Sequence, residues 1–223
     1  VKAIAIIPAF REEGRVGRVV EAVLPYLADV IVVDDGSPDG TGDEARRAGA
    51  AVLRLEPNRG KGAALMAGLA EARRRGFEAV VTLDADGQHD PAVIPAMLAA
   101  LARGADIVIG TRTKNLRGMP PQRVFSNTFT SAVISMLAGR LIRDSQTGYR
   151  AMRLAAVDGL PLVRRGFDLE SEILIKAARA GARIRHVTVP TIYGDEKSKI
   201  NVPADTYRFF RVVFTDLMER LER

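Results

Sequence analysis

The chain has 223 residues, 47% hydrophobic and 27% charged, which fits one compact domain with a sizeable core. With no cysteine and two histidines, it excludes disulfides, thiolate metal sites and multi-histidine zinc sites. The formal net charge of +6 favours anionic partners such as nucleotides, phosphates and lipid head groups, while aromatics at 5% argue against a base-stacking nucleic-acid surface.

The first half alternates strand and helix patterns. Ala3-Ile4-Ala5-Ile6-Ile7 is a continuous apolar run, hence a strand buried on both faces. The loop Pro8-Ala9-Phe10-Arg11-Glu12-Glu13-Gly14 follows, and Val16, Val19, Val20, Val23 and Leu24 then recur at helical spacing. Val30–Val33 is the second strand and ends in Asp34, Asp35 and a turn cluster through Thr41. A short helix over Asp43–Ala48, a strand over Ala51–Leu55, the loop Asn58-Arg59-Gly60-Lys61-Gly62 and a helix over Ala63–Arg75 come next. The strand Ala79-Val80-Val81-Thr82-Leu83 runs into Asp84-Ala85-Asp86-Gly87-Gln88-His89-Asp90-Pro91, and Pro91 suits the first turn of a helix over Ala92–Ala102. Asp106–Gly110 is the fifth strand.

This alternation predicts an α/β fold with a mostly parallel central sheet, helices on both faces and a single Rossmann-like domain. Ligands in such sheets bind at the carboxyl ends of the strands. Three of those ends carry Glu12/Glu13, Asp34/Asp35 and Asp84/Asp86. If the strand continues, Asp84 and Asp86 share a face. Two carboxylates so placed call for a cation, and a hard divalent ion shared with substrate phosphates answers that need; the competing reading is an acidic turn that caps the next helix.

In the second half, Thr111-Arg112 opens a polar loop with Lys114, Arg117, Gly118, Pro120 and Pro121. A helix from Gln122 to Ala138 places Phe125, Phe129, Val133 and Met136 at core spacing. The turn Asp144-Ser145-Gln146-Thr147-Gly148-Tyr149-Arg150 feeds a short strand, and a helix opening at Phe167 carries Asp168, Glu170 and Glu172 in its first turn, as the helix dipole favours. Arg183–Tyr193 reads as a strand, 194–201 as a polar stretch, and 204–223 as an amphipathic helix with Phe210, Val213, Phe214, Leu217 and Leu221 on one face. That helix packs on the core or lies on a membrane surface. No apolar run reaches the roughly 18 residues of a membrane span, and no signal peptide is visible.

Gly60-Lys61-Gly62 reads as a turn ahead of a phosphate nest, and it lacks the Walker spacing. His89 reads as a capping or hydrogen-bonding residue and His186 as structural. Arg112, Arg123, Lys197 and Lys199 are solvated charges or binders of an anionic second substrate, where arginine offers a bidentate fork to phosphate.

Six segments taken in order resemble the family 2 glycosyltransferases with the GT-A fold, most closely the dolichyl- or polyprenyl-phosphate sugar synthases. They are Ile7–Glu13, Val32–Ser37, Asn58–Gly62, Asp84–Gln88, Asp144–Arg150 and Tyr193–Lys199. The resemblance implies a nucleotide-sugar-binding half over 1–112, an acceptor half over 113–203 and the terminal helix over 204–223. It implies a nucleotide pocket from Pro8, Ala9, Phe10, Glu12, Val33, Asp35, Lys61, Asp84 and Ala85, and a Mg²⁺ or Mn²⁺ ion on Asp84, Asp86 and Gln88. Arg112, Arg123 and Lys199 would gather around the acceptor phosphate or the donor diphosphate, so that with Asp86 and Asp144 they form the catalytic set. The implied reaction is inverting transfer of a hexose from GDP-mannose or a UDP-glucose type donor to a polyprenyl or dolichyl phosphate. It takes place at the cytoplasmic face of a membrane, with peripheral lipid contact and no nucleic-acid partner. A hydroxyl acceptor would instead require a carboxylate base, Asp144 first and Asp168 second. The other readings are a soluble family 2 transferase acting on such a hydroxyl, a nucleotidyltransferase, and a basic adaptor for anionic surfaces.

Overall fold

The computed structural model describes residues 1–112, 121–163, 166 and 168–190, with the backbone alone at 121–126. In chain order β1 (Ala3–Ala9) leads to α1 (Val16–Val23), β2 (Val30–Asp34), α2 (Thr41–Arg47), β3 (Ala51–Arg54), α3 (Lys61–Arg74) and β4 (Ala79–Thr82). Then come α4 (Ile94–Ala102), β5 (Ile107–Arg112), α5 (Pro121–Ala138), β6 (Arg150–Arg153), α6 (Asp168–Arg179) and β7 (Ile184–Val189). Among the described residues the strands form one seven-stranded sheet in the order β3-β2-β1-β4-β6-β5-β7. Neighbours are parallel except at β6, which is antiparallel to both β4 and β5.

The period of two along each strand divides the apolar side chains between two cores. On one face Ile4 and Ile6 of β1 and Ile31 and Val33 of β2 meet Leu65 and Leu69 of α3 and Ile173 and Leu174 of α6. On the other, Ala5, Ile7, Val32 and Val81 meet Val20 of α1 and Met97 and Leu101 of α4. Both sheet faces are thus covered, which is why these strands read as unbroken apolar runs.

The reversal of β6 positions the site. The parallel strands β1, β2, β4 and β5 deliver their carboxyl ends to one sheet edge. An antiparallel strand brings its amino end there, so the segment before β6, Asp144–Tyr149, faces the loops that follow the other strands.

Three expectations are corrected. Asp84 and Asp86 do not continue a strand, because β4 ends at Thr82 and residues 85–87 turn. Phe129 and Met136 are not core residues: they are 48% and 69% exposed, while Ile134, Leu137 and Ala138 are buried and Val133 packs partly against them. The reason is polar. Asn127 donates to Asp144 Oδ1, Ser131 Oγ accepts from the N–H of Ser145, and Ser135 Oγ accepts from the N–H of Ile142. These residues recur every four positions, so they turn that stripe of α5 inward onto 142–145. Among the described residues the last strand runs over Ile184–Val189 and ends before Pro190, while 191–193 of the expected strand lie outside them. Residues 191–223, with Lys197, Lys199 and the expected terminal helix, lie outside the described residues, as does the side chain of Arg123.

Gly68 of α3 lies where the helix crosses β1: a Cβ there would come 2.5 Å from Ile6 Cγ2 and 3.2 Å from Val33 Cγ2. Both neighbours are fully buried and cannot retreat. Gly68→Ala is therefore expected to lower unfolding free energy by about 1–3 kcal/mol through overpacking, despite the better helix propensity of alanine, as measured by urea titration.

Candidate active site

Asp35 follows β2 and is buried. Its Oδ1 accepts from the N–H of Arg59 at 2.8 Å and its Oδ2 from the N–H of Gly60 at 2.7 Å, while Asn58 Nδ2 donates to its carbonyl at 2.9 Å. The carboxylate expected to hold a base or ribose therefore fixes the loop that launches α3 at Lys61. Asp34 is structural: it accepts from Arg54 Nη1 at 2.8 Å and from the N–H of Ser37 at 2.9 Å.

At the end of β1, Phe10 is 37% exposed and lies under the Arg11 guanidinium, 5.2 Å from the ring centroid. The N–H of Glu12 donates to Thr41 Oγ1 at 2.9 Å, and its carboxylate pairs with Arg15 at 3.0 Å. Pro8 is half-buried at the same strand end. Ala9, Val33 and Ala85 have buried side chains in the two cores, so the surface they offer a ligand is backbone.

Lys61 Nζ stands 2.6 Å from Asp84 Oδ1 and 3.4 Å from Glu170 Oε2. Burial opposes charge on Asp84, but the ammonium overrides it and draws the carboxyl down to about 2. For Lys61 burial is likewise overridden, by Asp84 and Glu170, and the ammonium is held above its usual range. The N–H of Asp84 donates to His89 Nδ1 at 3.2 Å, which puts the neutral ring's proton on Nε2, 3.8 Å from Asp84 Oδ2. His89 stacks on Tyr149 with centroids 4.9 Å apart, and burial lowers its pKa. It is the hydrogen-bonding residue the sequence indicated. Asp86 Oδ1 accepts from the N–H of Gln88 at 3.0 Å, and Asp90 caps the 3-10 turn before α4.

Gly148 faces this pair. A Cβ there would lie 2.8 Å from Asp84 Oδ1 and 3.0 Å from Lys61 Nζ, so the absence of a side chain is what admits the ion pair.

The second half of the site is a bidentate pair. Arg112 Nε donates to Asp144 Oδ2 at 2.8 Å and Nη2 to Oδ1 at 3.0 Å. Asp144 is 2% exposed and also accepts from Asn127. Behind both halves lies Arg150, fully buried in β6, donating from Nη1 to the Glu170 carbonyl at 2.7 Å and from Nη2 to the Ser145 carbonyl at 2.9 Å. Burial lowers its pKa, and Glu170, Asp144 and Asp84 oppose that by favouring the cation.

Three residues escaped the sequence reading. Glu170, expected as a dipole acid, turns to Lys61; Gly148 and Arg150 lie in a turn that carries the family resemblance but have no role assigned from sequence. An arginine inside the apolar run Tyr149-Arg150-Ala151-Met152 was the available signal. Among the described residues no group of three or more His, Cys, Asp or Glu side chains could hold a metal ion. Asp84 and Asp86 nonetheless fit a hard divalent ion that completes its shell with phosphate oxygens and water, because both supply carboxylate oxygens at a partly exposed edge.

The fold matches that of glucosyl-3-phosphoglycerate synthase from Mycobacterium tuberculosis, solved with Mn²⁺, uridine diphosphate and glucosyl-3-phosphoglycerate. The TM-score is 0.74 at 21% identity, over 98% of this chain and 79% of that one. Sheet order and site edge are those of the GT-A type of fold. Residues 4–158 match the model for glycosyl transferase family 2, and the chain belongs to that family. It is 34% identical over 203 residues to an undecaprenyl-phosphate mannosyltransferase of Micrococcus luteus, covering 84% of this chain and 82% of that protein. It is 31% identical over 241 residues to polyprenol monophosphomannose synthase of Mycolicibacterium smegmatis, covering 100% and 89%.

Removing Arg150 strips the Glu170 and Ser145 carbonyls of their donor and Asp84, Asp144 and Glu170 of a shared buried counter-charge. Arg150→Met is expected to destabilise the chain by about 3–5 kcal/mol in urea unfolding, the cost of stripping a buried network of one partner.

Proposed function

We propose that this glycosyltransferase moves a hexose, with inversion, from GDP-mannose or a UDP-glucose type donor to a polyprenyl or dolichyl phosphate. The relatives named as undecaprenyl-phosphate and polyprenol mannose transferases support the acceptor class. The complex with Mn²⁺ and uridine diphosphate supports a donor held through Mg²⁺ or Mn²⁺. Asp84, Asp86 and Gln88 would hold that ion, which when bound neutralises the charge developing on the leaving diphosphate. Pro8, Phe10, Glu12 and Asp35, with the backbone at Ala9, Val33 and Ala85, line the nucleotide side, and Lys61 faces the diphosphate.

One observation carries the choice of acceptor: Asp144 is buried and committed through both oxygens to Arg112. A carboxylate so held is a poor general base and a good orienter of a guanidinium. An acceptor phosphate is already anionic at neutral pH and needs no proton removed, only cations that guide it in line with the anomeric carbon. Arg112 fills that role, with Arg123 and Lys199 as further members of the cluster. Asp168 is buried at the start of α6.

With a lipid-phosphate acceptor and a nucleotide-sugar donor, the enzyme would work at the cytoplasmic face of a membrane, in peripheral contact with it. No helix of the described residues is long and apolar enough to cross a bilayer. Phe129, Met136 and Leu141 are exposed on the outer side of α5 and just beyond it, with Arg140 and Arg143 exposed beside them. Apolar side chains flanked by arginines suit an anionic lipid surface.

Asp144→Asn tests the acceptor. With a polyprenyl phosphate, the acceptor KM is expected to rise about tenfold while kcat falls only a few-fold, since orientation and not proton transfer is lost. A drop in kcat of about 10² or more, with KM unchanged, would overturn the phosphate acceptor in favour of a hydroxyl. Replacing Phe129, Met136 and Leu141 together by serine is expected to cut co-sedimentation with anionic vesicles at least about tenfold without changing donor KM. Unchanged co-sedimentation would remove this face from the membrane contact.

A further inference from the structure

The Lys61 ammonium does more than face a diphosphate. It sits on one oxygen of Asp84 at 2.6 Å with a second carboxylate, Glu170, 3.4 Å away on its other side. A carboxylate oxygen in that contact cannot join the inner shell of a divalent ion without bringing two cations within a few ångströms of each other. Either the ammonium withdraws or the ion stays out. A lysine is suited to withdrawing, because its charge is compact and its four-carbon stem is flexible.

We propose that Lys61 is a built-in competitor for the divalent ion, yielding Asp84 by shifting onto Glu170, so that Lys61 and Glu170 together set the metal affinity of the site. The inference rests on the reading of Asp84 and Asp86 as the metal carboxylates. Glu170 is placed for this. Its side chain is 11% exposed and already within ion-pair reach, so a lysine leaving Asp84 keeps a counter-charge. Retreat deeper is blocked by the buried cation of Arg150, which repels the ammonium. Gly148 leaves space on the open side, where a Cβ would press on Asp84 and Lys61 together. The movement needed is small, since Glu170 and Asp84 flank the same ammonium.

The functional meaning is order of binding. Displacing Lys61 weakens the hold of the bare site on a metal. A diphosphate supplies the extra negative charge that makes displacement favourable, so ion and donor bind together.

The test is Mn²⁺ affinity, read by titration calorimetry and by the EPR signal of free Mn²⁺, on the full chain with and without UDP or GDP. Without nucleotide, Lys61→Met is expected to bind Mn²⁺ about tenfold more tightly than wild type, or better still, and Lys61→Arg to stay near wild type. Glu170→Gln is expected to bind it several-fold more weakly, because the ammonium then has one carboxylate only. Mn²⁺ affinity unchanged or weakened in Lys61→Met, or unweakened in Glu170→Gln, would overturn the competition while leaving the metal site standing. Should wild type bind no Mn²⁺ even with nucleotide, or Asp86→Asn bind it as wild type does, the metal reading itself falls and the inference with it.

Discussion

A guanidinium with no solvent around it has to be neutralised by its neighbours, and Arg150, the first residue of β6, is such a group. Its hydrogen bonds go to two backbone carbonyls, at Ser145 and Glu170, so it ties the turn before β6 to the first turn of α6. Its charge is met by Asp84, Asp144 and Glu170. Those acids in turn hold Lys61 and Arg112. The result is a cluster of three cations and three carboxylates, in which Lys61 and Arg112 are held by carboxylates and Arg150 by backbone carbonyls. Such a network is stable while complete and costly when any part is removed.

That arrangement couples the two halves of the site. On one side Asp35 clamps the backbone of Arg59 and Gly60, the clamped loop sets the start of α3, and the start of α3 sets Lys61 against Asp84. On the other side the inward stripe of α5 holds the 142–145 segment, which presents Asp144 to Arg112. Arg150 lies behind both. The Lys61–Asp84 pair and the Arg112–Asp144 pair therefore share one buried counter-charge, although their residues are far apart in the chain.

Much of the fold was legible because both sheet faces are covered. Strands such as Ile4–Ile7 and Val30–Val33 must then be wholly apolar, and the alternation with helical spacing follows. The acidic strand ends were legible too, since Asp84 and Asp86 interrupt an apolar run. What could not be read was partnership. For Asp144 the sequence leaves a base for a hydroxyl acceptor open beside the phosphate reading, because it shows a carboxylate but not the arginine that grips it. Glu170 looked like a dipole acid because its neighbours Asp168 and Glu172 share its turn, and only the tertiary fold turns it toward Lys61. The face of α5 was misassigned for a related reason. Phe129 and Met136 carry the hydrophobic signal, yet Asn127, Ser131 and Ser135 find partners on 142–145, and those polar contacts set the rotation of the helix. Hydrophobic spacing locates a helix more reliably than it tells which side is buried when the buried side is itself partly polar.

The reversed strand has one more consequence. β5 and β6 are immediate neighbours in the sheet, with Ile109 opposite Arg150. The chain thus departs from the sheet after Arg112 and rejoins it one strand away, so the whole excursion is anchored at two adjacent points. Closing a longer excursion costs little more, because closure entropy grows slowly with loop length, but its contents are fixed by Ile134, Leu137, Ala138 and Ile142 in the core and by Asp144 against Arg112. The inner stripe of α5 is tied down by its bonds to 142–145. Pinned at both feet, the excursion brings its last residues back beside its first, which is how Asp144 meets Arg112 although 32 positions separate them.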